Sequence, residues 1–371
     1  MTSAELKAFI RDNCGDPAVG IASVVDFSPE EIRAMEELNR TMAAYTPLMS
    51  ADMPVLNPAE FMDGARAVIM MGYNAFFGRE HAQPGGPPRG EIVNAFVNQE
   101  CIDYNAALND KIIAFLAEHG FTGMLIFAGI PQKILAARSG LGRYGKNALI
   151  QAPGKGSWIS LYAIFTDAPL EPDSPLDDAC GDCECCRTAC PTGALDVPYT
   201  CDISRCLTTQ AMYNKEAIPR ELRGKMGTCI AECSICLDAC PKNKNLAVNT
   251  AVSNPDHLVY PDIVPLVNMT DEEFEKMFGG TFFEFLIMEK KYLQRNAAIA
   301  LGNHGDPAHV PVLIQALETQ ADELVRGAAA WALGKIGTSE ARSALAGALE
   351  RDPSEAVRAE LRLALDDIEK R

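Results

Sequence analysis

The chain has 371 residues, 48% of them hydrophobic, which is enough to bury more than one core and leads us to expect two or three domains. Its 33 basic and 50 acidic residues give a net charge of −17, which argues against a general nucleic-acid binder, and no run of lysines or arginines offers a local substitute. No uncharged apolar stretch is long enough to span a bilayer and no export signal opens the chain, so a cytoplasmic protein without membrane association is expected, its 13 cysteines kept as reduced thiols.

Residues 1–13 pattern as an amphipathic helix, and 29–38 also read as helical. The apolar run AVIMM at 67–71 predicts a buried strand, 104–119 an amphipathic helix, 124–127 a second strand and 158–166 (WISLYAIFT) a third. Together they predict an α+β domain over 1–170, closed by the Asp- and Pro-rich stretch 167–178. Inside it, Gly140-Leu141-Gly142-Arg143-Tyr144-Gly145 matches G-x-G-x-x-G, and Gly140 with Gly145-Lys146 nearly matches a phosphate loop. Both matches lack their context: residues 131–139 read as helix where a dinucleotide fingerprint needs a strand, and Asn147 stands where a phosphate loop needs Ser or Thr. Three glycines would still admit a bulky cofactor close to the backbone, with Arg143 and Lys146 placed to meet its polar groups.

The next segment, 171–250, carries the strongest signal. Its cysteines run Cys180-x2-Cys183-x2-Cys186-x3-Cys190-Pro191 and Cys233-x2-Cys236-x3-Cys240-Pro241, the ligand pattern of paired [4Fe-4S] clusters, in which the Cys-Pro cysteine of one run completes the cluster of the other. Spacing therefore assigns Cys180, Cys183, Cys186 and Cys240 to one cluster. Cys190, Cys233 and Cys236 are left one ligand short in the other, with Cys206 the best candidate for that place. Structural zinc would pair Cys-x2-Cys knuckles without closing each run on Cys-Pro. Cys14, Cys101, Cys185, Cys201 and Cys229 stand outside the pattern as buried or incidental thiols.

A connector over 251–293 contains a capping box, Thr270-x-x-Glu273, ahead of a helix bearing Phe274 and Phe278. Over 294–371, Arg295-led, Arg326-led and Arg358-led segments rich in Ala and Leu recur at spacings of about thirty residues, the signature of a short helical solenoid of HEAT type. So few repeats cannot bury a core alone, so the tail should pack on the rest of the protein or offer a partner surface. The histidines, His81, His119, His257, His304 and His309, form no metal-spaced pair, and no Gly-x-Ser-x-Gly elbow supports hydrolysis.

In their order these features resemble the epoxyqueuosine reductases, cobalamin-dependent iron-sulfur enzymes that perform the last step of queuosine synthesis on tRNA and are related in core and chemistry to reductive dehalogenases. The resemblance rests on the loop from Ser139 to Asn147, on Gly156-Ser157-Trp158 followed by Ile164-Phe165-Thr166, on the two cysteine runs, on Arg205-Cys206-Leu207, and on the Arg295 repeat. It implies the same two sets of cysteine ligands. It also implies a cobalamin beside Gly140, Leu141, Gly142, Arg143, Gly145, Lys146 and Asn147, with Ser157 and Trp158 near it, a monomer, and an external donor of ferredoxin or flavodoxin type that reduces an electrophilic substrate through clusters and corrinoid.

Three departures stand out. Phe127-Ala128-Gly129-Ile130-Pro131 puts Ala128 where the family carries a proton-donating Asp; Tyr104-Asn105 replaces the family's Tyr-His; and Leu207-Thr208-Thr209-Gln210 replaces Leu-Thr-Ile-Glu. With the acidic charge they disfavour tRNA and point to a paralogue reducing another small molecule or modified nucleoside, with Tyr73, Tyr104, Tyr144 or Lys146 as proton donors. The alternative is a corrinoid-free electron carrier docking a partner on its repeats.

Overall fold

In a computed structural model, residues 1–47, 50–78, 87–92, 97–126, 129–177 and 180–370 are described, Asp256 by its backbone alone. The chain forms two compact units, Met1–Gly78 with Glu100–Ile203 and Ser234–Ser253, and Arg79–Gln99 with Ser204–Cys233 and Asn254–Arg371.

The first unit is built on a four-stranded antiparallel sheet of β1 (Ala18–Ser23), β2 (Ala67–Asn74), β3 (Gly123–Ile126) and β6 (Ile159–Thr166), in the order β1-β2-β6-β3. β2 is apolar almost throughout because both of its faces are covered. Ile69, Met71 and Tyr73 join Ile21 and Ile164 against the helices Ser3–Asn13 and Gln99–Glu118. Val68 and Met70 join Ala163 and Phe165 on the opposite face, against Leu135 and Ala136 of the helix Gln132–Arg138 and against Leu141 and Ile150. The strands expected from sequence over 67–71, 124–127 and 158–166 are present, although Phe127 lies outside the described residues.

β1 was not expected from its small residues. Its position is set by Gly20, where a Cβ would lie 2.3 Å from the Ser139 carbonyl oxygen, so the end of the helix Gln132–Arg138 can approach the strand only over a glycine. Capping boxes at Thr2 and Ser28 start the helices Ser3–Asn13 and Pro29–Ala43.

The second unit is helical. Thr270 and Glu273 close the expected capping box on the helix Asp271–Phe278, whose Phe274 and Phe278 are buried. The helices Lys290–His304, Glu323–Ile336 and Glu355–Glu369 stack through small residues: a Cβ on Gly302 would lie 2.8 Å from Ala332 Cα, and one on Gly334 2.7 Å from Ala364 Cβ. Arg295 is 1% exposed, and its guanidinium donates to the carbonyls of Asn214 (2.8 Å), Glu216 (2.5 Å) and Gln210 (3.2 Å). Asn296 donates in turn to the carbonyls of Ala211 (2.8 Å) and Ile230 (2.7 Å). The repeats thus pack on the segment Ser204–Cys233 by satisfying backbone acceptors that no regular ladder pairs. Arg326, one repeat later, donates to the carbonyls of Gln320 (3.0 Å) and Ala321 (2.6 Å) and also pairs with Asp352 at 2.7 Å.

Candidate functional site

Each cysteine run folds into a short helix with an extended Cys-Pro end. The first gives Cys185–Ala189 followed by Cys190 at ψ 114°, the second Ile235–Asp238 followed by Cys240 at ψ 120°. Proline at the next position excludes the helical ψ for each of these cysteines and turns the chain out of its helix. The two helices pack against each other. Cys183 N–H closes a turn on the Cys180 carbonyl at 2.9 Å, which keeps the first run tight. Cys186 and Cys240 are buried, and the Cys186 thiol is pushed up first by desolvation and then by its neighbours Cys240 and Cys180. With the two helices packed together and Cys180 turned back on Cys183, the set Cys180, Cys183, Cys186 and Cys240 fits a [4Fe-4S] centre, which takes four thiolates from such runs.

Cys206 and Cys233 lie close to Cys229, whose thiol is held well above its ordinary value by desolvation first and by those two cysteines among its neighbours. Cys229 donates to the Glu232 carbonyl at 3.1 Å, and the Cys233 N–H donates to Thr208 Oγ1 at 3.0 Å. Cys190 Sγ stands 3.5 Å from Thr192 Oγ1. Cys185 is exposed, with its thiol held up first by a hydrogen bond with Cys183, so it sits at the rim of the first set.

The glycine motif is a hairpin. β4 (Arg143–Tyr144) pairs with β5 (Ile150–Gln151), and the turn between them is closed by Gly145 N–H to Leu149 O at 2.8 Å. Its glycines make room for the protein itself: a Cβ on Gly142 would lie 2.6 Å from Ile150 Cγ2, one on Gly145 2.3 Å from Gln151 Nε2, and one on Gly140, at φ +68°, 2.5 Å from the Ser174 carbonyl oxygen. A helix, Gln132–Arg138, and not a strand precedes the first glycine, as expected from sequence, so the context of a dinucleotide fingerprint is not formed here.

What the hairpin does is reach the first cysteine set. Gln151, 5% exposed, directs Nε2 at Cys240 Sγ across 3.6 Å, and Lys146 Nζ pairs with Glu184, inside the first cysteine run, at 2.5 Å. That bond to Glu184, outweighing desolvation, holds the Lys146 ammonium above its ordinary value. Beside them, Asn243 accepts from Ser157 N–H at 2.8 Å and donates to Leu237 O at 2.8 Å, tying the loop before β6 to the second cysteine run. Trp158 packs near Phe76, ring centroids 6.0 Å apart.

Three buried polar atoms of the hairpin, Arg143 Nε, Asn147 Nδ2 and Gln151 Oε1, have no hydrogen-bond partner among the described residues. Two donors and an acceptor left open within one short hairpin fit a large group that brings amide or phosphate functions to it.

The candidate proton donors are not gathered in one place. Tyr73 and Tyr104 belong to the core on the face of the sheet covered by the helices Ser3–Asn13 and Gln99–Glu118, where Tyr73 Oη meets Asn109 Oδ1 at 3.1 Å. Tyr144 packs against the core on the opposite face, with burial pushing its phenol up to about 12. Lys146 is already engaged with Glu184. Ala128, the position of the family's acid, and His81 lie outside the described residues.

A model of 4Fe-4S double cluster binding domains matches residues 179–243, and a model of HEAT repeats matches 283–366. Epoxyqueuosine reductase of Bacillus cereus is 32% identical over 321 residues, covering 84% of this chain and 83% of that protein. The chain belongs to the epoxyqueuosine reductase family. Its fold is accordingly the expected one, an α+β region, a double-cluster domain and HEAT-like repeats, and it is an iron-sulfur oxidoreductase of that family.

Two solved structures share this fold at a TM-score of 0.86 and 26% identity. One is epoxyqueuosine reductase from Bacillus subtilis with its catalytic aspartate loop swung out of the active site, covering 98% of each chain. The other is an epoxyqueuosine reductase with a tRNA-Tyr epoxyqueuosine-modified stem loop, covering 99% of this chain and 98% of that one. The second corrects the expectation that acidic charge disfavours tRNA, and leaves the idea of a different substrate without support. Net charge sums the whole surface, whereas a stem loop meets only one face of it, so −17 does not describe the potential of that face. Among the described residues no helix is long and apolar enough to cross a membrane.

Proposed function

We propose that this protein reduces epoxyqueuosine in tRNA, with cobalamin bound at the 143–151 hairpin and two [4Fe-4S] clusters held by Cys180, Cys183, Cys186 and Cys240, and by Cys190, Cys206, Cys233 and Cys236. The observation that carries the reading is the hairpin's double connection: open polar atoms at Arg143, Asn147 and Gln151, and contacts from Gln151 to Cys240 and from Lys146 to Glu184 within the first cysteine run. When bound, the clusters supply one-electron transfer and the corrinoid a low-valent metal able to reduce an electrophilic carbon.

The chain's own part is positional and electrostatic. Gln151 offers an N–H to the Cys240 sulfur, Lys146 anchors the first cysteine run through Glu184, and Asn243 fixes the second run on Ser157. Ala128 cannot donate a proton, so that step does not fall to the side chain at this position. An external reductant of ferredoxin or flavodoxin type completes the electron balance.

Expression in a bacterium lacking its own epoxyqueuosine reductase tests the proposal. Return of queuosine to tRNA is the expected result, and a higher yield with Ala128→Asp would follow from restoring an acid there. Absence of queuosine with well-folded, cluster-loaded protein in both versions would overturn it.

A further inference from the structure

Away from the cysteines, three side chains of the second unit converge on one turn of the repeat array. His304 ends the helix Lys290–His304, Gly305 reverses the chain at φ +75°, Asp306 caps the following turn, and His309 immediately precedes the helix Val310–Thr319. The separation of the two histidines in sequence is not one that shares a helix face; the left-handed glycine folds them together. One ligand atom from each of His304, Asp306 and His309 lies within 4.8 Å of the other two, and the imidazole centroids are 5.0 Å apart.

His309 separates this group from an ordinary surface cluster. It is 7% exposed, and its Nδ1 is buried without a hydrogen-bond partner among the described residues. A buried ring nitrogen of this kind calls for a partner that the protein itself does not supply. His304 and Asp306 are exposed and free to adjust, while Asp306 Oδ1 accepts the Ala308 N–H at 2.9 Å and so keeps the carboxylate at the turn.

We propose that His304, Asp306 and His309 bind a divalent transition-metal ion, with zinc the best match. Two imidazoles and one carboxylate are the borderline nitrogen and oxygen donors that zinc takes, whereas calcium and magnesium favour all-oxygen shells. Bonds of about 2.0–2.2 Å place the ligand atoms of a tetrahedral zinc about 3.3 Å apart, so the two exposed side chains close in on a fixed His309 and a water takes the fourth position. The ion would staple the end of the helix Lys290–His304 to the start of Val310–Thr319. The site shares no residue with the cluster or hairpin regions and stands whatever the substrate of the protein.

The test uses anaerobically prepared, cluster-loaded protein equilibrated with Zn²⁺ by dialysis, with zinc and iron counted together. The comparison is with the double variant His304→Ala and Asp306→Ala, which leaves the buried histidine in place and whose unchanged iron content reports intact folding. Wild type is expected to retain one zinc per chain more than the variant and to melt at a higher temperature with zinc than without, while the variant gains nothing. Equal zinc in both proteins, or a zinc-dependent melting shift that the variant retains, would overturn the assignment.

Discussion

Replacing Arg295 by methionine should cost the protein its second cluster before it costs the fold of the repeats. The methionine keeps the apolar stem and removes the guanidinium, leaving the Asn214, Glu216 and Gln210 carbonyls without their donor in a closed interior. At about 1–3 kcal/mol for each abandoned acceptor, partly offset by no longer burying a charge, the net loss comes to about 3–5 kcal/mol. It falls on the segment Ser204–Cys233, which carries Cys206 and Cys233. A loosened segment cannot hold two thiolates at bonding distance, so iron per chain should fall from about eight towards about four, with the electron paramagnetic resonance of one cluster surviving. Iron and spin quantification on anaerobically reconstituted protein reads this without assuming two-state unfolding, which a multi-cluster protein does not obey. Arg295→Lys should be intermediate, since an ammonium can serve some of the carbonyls. Full iron content and unchanged spectra in Arg295→Met would refute the claim that this buried arginine organises the second cysteine set.

Gln151→Leu removes the N–H aimed at Cys240 and should lower the midpoint potential of the first cluster by roughly 40 mV, taking one hydrogen bond of about 1 kcal/mol as favouring the more negative reduced state; potentiometric titration measures it. Gly142→Val inserts carbon where Ile150 Cγ2 and Gln151 O already lie, so it should open the hairpin and lose cobalamin affinity by at least tenfold while retaining iron, as read by corrinoid absorbance after desalting. Asp352 is pushed up by burial, but its bonds with Arg326 and the Ser354 N–H outweigh this and leave its carboxyl below the ordinary range. A depressed carboxylate contributes stability above its unfolded pKa of about 3.9 and loses it as pH falls through the folded value, so the thermal stability of the repeats should drop below about pH 4. Asp352→Asn should weaken that acid dependence while being the less stable protein at pH 7.

The cluster chemistry was legible because Cys-x2-Cys and Cys-Pro spacings encode local turns, and the repeats because their arginines and alanines recur. β1 was not, since AVGIAS carries little strand preference and owes its place to the close passage of Ser139 over Gly20. The glycines at 140, 142 and 145 suggest room for a cofactor in the sequence, whereas the atoms they admit first are those of Ser174, Ile150 and Gln151. Contacts such as Gln151 with Cys240 and Lys146 with Glu184 join residues far apart in sequence and leave no local pattern to read. The nearness of His304 and His309 is equally absent from local spacing, because a single left-handed glycine brings them together. The acidic charge misled differently, being a property of the whole surface and not of the face a tRNA would meet.

Metal analysis after anaerobic reconstitution with iron, sulfide and cobalamin, followed by desalting, tests most directly the claim that two clusters and a corrinoid share this chain. About eight irons and one cobalt per chain are predicted, as two four-iron clusters and one corrinoid require. The same iron with no retained cobalt would contradict the corrinoid site at the hairpin and leave the protein an iron-sulfur electron carrier.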